Sequence, residues 1–75
     1  MKRDEKEVIK GNQILKEQLE FYKSKNVMVH IKKNDGRFYN GYILEIQFDL
    51  IILEDRVLGS MPIHFMEINF LEAKR

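Results

Sequence analysis

Few side chains in this 75-residue sequence suit covalent chemistry. It has two serines, no threonine and no cysteine, so nucleophilic catalysis has little to work with. His30 and His64 lie far apart, and neither stands in a metal-ligand spacing. Glu54-Asp55 is an adjacent carboxylate pair in a polar stretch, which reads as a solvated loop. No glycine-rich phosphate loop is present. These absences point away from an enzyme, and they imply no metal and no cofactor. What remains is binding chemistry. Lys32, Lys33 and Arg37 flank a turn and form a small basic cluster. Arg37 could grip a phosphate with two parallel hydrogen bonds. It could equally form an ion pair with a nearby acid, and both lysines could simply be solvated.

Charge is distributed unevenly. Residues 1–37 together with Lys74-Arg75 hold twelve of the thirteen basic groups. Residues 38–73 hold Arg56 alone against Glu45, Asp49, Glu54, Asp55, Glu67 and Glu72. A uniform basic coat for nucleic acid is excluded. Any nucleic acid should meet the first-hairpin side rather than the acidic strands.

The basic cluster needs a hairpin to position it. Val27, Val29 and Ile31 alternate with Met28, His30 and Lys32, which predicts a strand over Val27 to Lys33. His30 reads there as a surface or interface residue. Asn34-Asp35-Gly36 predicts a tight turn, since Asx side chains bond their own backbone and Gly takes positive φ. The second strand leaves at Arg37 and runs toward Ile46. Asn40-Gly41 is itself a hairpin signal and competes with this placement. With the turn at Asn34–Gly36, Gly41 sits mid-strand, where a missing side chain permits a sharp bend. A third strand runs from about Phe48 to Leu53. Its run Leu50-Ile51-Ile52-Leu53 does not alternate, so coverage on both faces is expected. Ile63 to Phe65 and Ile68 to Leu71 read as the last two strands, joined by Met66-Glu67. Pro62 limits the strand around it to an edge or to its first residues.

Before the hairpin, helical spacing runs from about Glu5 to Lys23. Val8, Leu15, Leu19 and Tyr22 form one stripe, and Ile14 and Phe21 broaden it. Gly11 weakens the first half, so the firm part is expected from about Asn12. Met1 to Glu7 reads as a solvated tail. Such a helix should lie across the open end of the barrel or against a neighbouring subunit. Taken together, the elements predict one domain over residues 1–75, with the helix at about 5–23 and a small barrel at about 26–72.

Asp35, Gly36, Arg37, Tyr39 and Gly41, followed by Ile43, Ile46, Ile51 and Leu53, resemble the first motif of the Sm-like (Lsm and bacterial Hfq) proteins. The resemblance runs from about Leu15 to Leu71. It implies an all-β small barrel of five strongly bent antiparallel strands with an N-terminal α-helix. It also implies strand pairing between subunits into a ring of six or seven copies, and single-stranded RNA as partner. On the second motif, Ile63, Ile68 and Leu71 match aliphatic positions, and His64 stands where the family has arginine. His64 reads evenly as a base or phosphate ligand and as a half-buried strand residue. The family's uridine pocket falls on Gln47, Asp49 and Ile51. Gln47 can hydrogen-bond a base, Asp49 cannot stack, and Ile51 cannot hydrogen-bond. Uridine preference should therefore be weak or absent. Phe48 or Phe65 could supply another stacking platform, although both read first as core.

Composition fits self-association. The chain is 44% hydrophobic, a surplus for so small an interior. Leu50, Ile52, Ile63 and Phe65 are the expected interface residues. The absence of cysteine and of a membrane-length apolar run suits a cytoplasmic, membrane-free setting. Two rival roles remain: a scaffolding ring without RNA, and a monomeric SH3-like barrel for a protein partner.

Overall fold

The computed structural model describes residues 5–74, with side chains from Gln13 onward. The place of Met1 to Asp4 in the tail, of Val8 in the helix stripe and of Gly11 as a weak point of the helix lies outside the described side chains. Helix α1 spans Glu5–Ser24. It ends because Asn26 adopts a left-handed φ of 54°, a conformation Asn tolerates better than most residues. The Asn26 N–H donates to the Lys23 carbonyl at 3.0 Å and the Val27 N–H to the Tyr22 carbonyl at 3.1 Å. These two bonds satisfy carbonyls that the helix end would otherwise leave open.

Five strands follow: β1 Val29–Lys33, β2 Phe38–Ile46, β3 Leu50–Asp55, β4 Gly59–His64 and β5 Ile68–Ala73. They form one antiparallel sheet in the order β4-β3-β2-β1-β5. The turn falls at Asn34–Gly36 as expected, with Gly36 at φ 91°, and Gly41 sits mid-strand opposite Asp55. The register shifts between Ile43 and Glu45, leaving Leu44 as an extra residue, and again between Lys32 and Lys33. Bulges of this kind bend a strand and increase its twist.

The sheet does not close on itself. The expected barrel is an open, bent sheet within one chain, and β4 and β5 are its free edges. Pro62 lies on the β4 edge, where its missing N–H disturbs no inner ladder. The apolar run of β3 also departs from expectation. Ile51 and Leu53 are completely buried, whereas Leu50 and Ile52 on the other face are only half-buried.

The core gathers Val29, Ile31, Ile43, Ile51, Leu53 and Ile63 from the strands and Leu19 from the helix. Leu15 and Tyr22 pack against it, so α1 does cover one end of the sheet. Ile14 and Phe21 were expected to widen this stripe but stand 52% and 56% exposed. They lie on the flank that turns away from the strands. Among the described residues, no helix is long and apolar enough to cross a membrane.

Candidate nucleic-acid interface

Two short connections and the helix build a groove. The first is the β2–β3 turn Gln47-Phe48-Asp49, closed by a bond from the Gln47 N–H to the Leu50 carbonyl at 2.8 Å. The second is the 3-10 turn Phe65–Glu67 between β4 and β5. The Phe65 N–H donates to the Asp49 carbonyl at 2.9 Å and ties the two together. Glu67 stiffens the second connection, because its Oε1 accepts the His64 N–H at 3.2 Å. Gln13, Lys16, Glu17 and Glu20 of α1 form the third wall. The groove encloses about 600 Å³.

Phe48 stands at this groove with 91% of its surface exposed, and Met66 with 84%. A large apolar ring held in water on a short turn is poised to stack on a ligand. His64 Nδ1 lies 4.0 Å from Asp49 Oδ2, beyond hydrogen-bond reach, and both side chains are more than half exposed. Phe65, the other stacking candidate, is 6% exposed and belongs to the core. Ile63 is completely buried. The side chains of Ile63 and Phe65, expected at a subunit interface, therefore point into their own chain.

The basic cluster is not part of the groove lining. Lys33 pairs with Glu67 at 3.6 Å, its side chain only 19% exposed. Arg37 Nε lies 3.8 Å from Asp35 Oδ2, and both groups are well exposed, so this pair contributes little. Lys32 is on the outer sheet face, its ammonium 5.6 Å from the Phe38 ring centre. His30 stacks on that ring at 4.9 Å, and its Nδ1 lies 2.6 Å from Asn40 Oδ1. Gln47 donates to Glu45 Oε2 at 3.2 Å and does not line the groove. Of the five RNA-binding candidates, the groove contains His64 alone. The helix wall escaped sequence reasoning, although Gln13, Lys16, Glu17 and Glu20 recur at helical spacing on one polar face. Among the described residues, no group of three or more His, Asp or Glu could hold a metal ion.

No protein-family model matches the sequence, and no curated protein does. Solved structures do match. The crystal structure of the pleiotropic translational regulator Hfq superposes with a TM-score of 0.70 at 21% identity. The match covers 77% of this chain and 95% of that one. The fold is Sm-like. Within it, Asp49 projects into the groove, and Ile51 is buried in the core. Phe48 and His64 line the same groove as Asp49.

Proposed function

We propose that this chain is a non-catalytic RNA-binding protein that assembles into a ring of six or seven copies in the cytoplasm. Phe48 carries the reading: an aromatic ring is held in solvent beside His64, at a groove with room for a base. The fold shared with a translational regulator supports RNA as ligand. The free edges β4 and β5 support the ring, since unpaired strand edges seek a partner and a rotation that closes leaves none. Uridine preference is weak or absent, because buried Ile51 cannot reach a base. A scaffolding ring is the second reading. It is favoured by Glu17, Glu20 and Asp49 in the groove and by the pairing of Lys33 with Glu67.

Light scattering at micromolar concentration tests assembly. A mass of six or seven times 9.0 kDa is expected, and a monomer mass would sink both ring readings. Ile52→Lys should shift the mass to the monomer. Ile52 is half-buried in one chain and pairs with Pro62 beside the β4 edge, where an unpartnered charge is costly under a neighbouring strand.

Fluorescence anisotropy with short oligo-U and oligo-A, at two salt concentrations, tests RNA. Similar, weak binding to both is expected, falling as salt rises. Phe48→Ala should weaken it by about tenfold, the loss of one stacked base. Lys33→Ala/Arg37→Ala should weaken it less, by reducing the phosphate attraction alone. Absence of binding at low salt would leave the scaffold as the better account.

A further inference from the structure

The groove beside Phe48 has an unusual charge for an RNA site. Three carboxylates, Glu17, Glu20 and Asp49, line it against Lys16 and His64. Phosphates are repelled there, so whatever enters should present donors rather than anionic oxygens. Asp49 can supply only acceptors: two carboxylate oxygens with room for two parallel hydrogen bonds. His64 beside it can supply an N–H. The two groups stand 4.0 Å apart, and both side chains are more than half exposed and open to a ligand. Side by side they form a donor next to a pair of acceptors.

One nucleobase complements that pattern. The pairing edge of guanine presents an acceptor oxygen followed by two adjacent donors, the ring N–H and the amino group. Uracil places its single donor between two acceptors, one of which would face the carboxylate. Cytosine and adenine each offer one donor beside an acceptor. We infer that the groove is a guanine-selective pocket. Phe48 stacks on the base, Asp49 accepts from its two donors, and His64 donates to its exocyclic oxygen. This rests on the RNA reading above and names the base that site prefers.

The test is calorimetric titration of the full chain with adenosine pentanucleotides that carry adenosine, guanosine, inosine or uridine at the central position. The guanosine ligand should bind at least about tenfold more tightly than the adenosine and uridine ligands, the discrimination expected of one bidentate contact. Inosine lacks the amino group and should fall between. Asp49→Asn should abolish the guanosine preference. Its side chain is 65% exposed, and the bond from Phe65 uses its backbone carbonyl, so the turn survives the change. His64→Ala should weaken guanosine and inosine binding alike and keep their order. Equal affinity for all four ligands would overturn the guanine pocket and leave RNA binding intact. So would a guanosine preference that survives in Asp49→Asn. Loss of binding to every ligand would overturn both readings together.

Discussion

Gly41→Val should be largely unfolded under conditions where the native chain melts cooperatively. A Cβ at position 41 would overlap the Glu54 carbonyl oxygen and lie 2.7 Å from the carbonyl carbon and 3.0 Å from the Asp55 Cα. These are backbone atoms of the paired strand β3, so no side chain can swing aside. Gly41 is paired directly with Asp55, and relief requires β2 and β3 to separate at the centre of the sheet. Backbone conformation is not the obstacle, since the positive-φ glycines are Gly36 and Gly59. The expected cost is more than about 4 kcal/mol, in the range reserved for core disruption. Domains of this kind have on the order of 5 kcal/mol to lose. Gly41→Ala isolates the steric effect with a single methyl group and should still lower the urea midpoint clearly. A Gly41→Ala chain with a native midpoint would show that the strands do not approach this closely.

That glycine was legible in the sequence because two signals met on it. Alternation in Val27 to Ile31 and the Asn-Asp-Gly turn fixed where β2 begins, and this left Gly41 inside a strand. The same logic placed Val29 and Ile31 on one face, and both are completely buried. It failed where periodicity carries no information. Phe48 occupies a turn, so no alternation places it, and hydrophobicity alone argued for the core that it avoids. Phe65 sits just past β4, in a 3-10 turn whose geometry swings it inward. Heptad-like spacing grouped Ile14 and Phe21 with Leu15 and Tyr22. A single bent sheet presents only a narrow surface to the helix, and the wider stripe is left in water. Closure of the sheet was beyond reach for a different reason. Whether β4 meets β5 depends on curvature accumulated over five strands, which bulges near Lys33 and Leu44 set and no local motif announces.

Asp55 was the least legible residue, and it leads to the second large effect. The stretch Glu54-Asp55-Arg56 is polar throughout and reads as solvent-facing loop, yet Asp55 is 8% exposed at the end of β3. Its Oδ1 accepts the Val57 N–H at 2.8 Å and the Leu58 N–H at 2.9 Å, and its Oδ2 accepts the Asn40 N–H at 3.3 Å. One carboxylate thus folds the β3–β4 turn and fastens it to β2. Asp55→Ala removes the acceptor for three backbone donors, and each donor left dry costs about 1–3 kcal/mol. Partial rehydration of an exposed turn reduces the sum, so the expected loss is on the order of 3 kcal/mol. The same bonds make the effect depend on pH. The Leu58 and Val57 N–H groups hold the carboxyl below its ordinary value of 3.8, with a smaller contribution from Asn40, while burial opposes them. A folded pKa below the unfolded one means that the unfolded chain takes up the proton first as pH falls. The stabilisation is therefore complete above 3.8 and constant through neutrality, and it fades as pH drops through the lower folded value. Urea midpoints of the native chain and Asp55→Asn, measured from pH 7 to pH 2, isolate this group from the other carboxylates. Asn offers one acceptor oxygen and no titration. The native advantage should hold steady down to about pH 4 and shrink below it. An advantage that stayed constant to pH 2, or that shrank between pH 7 and pH 5, would show that the Asp55 carboxylate does not hold this turn.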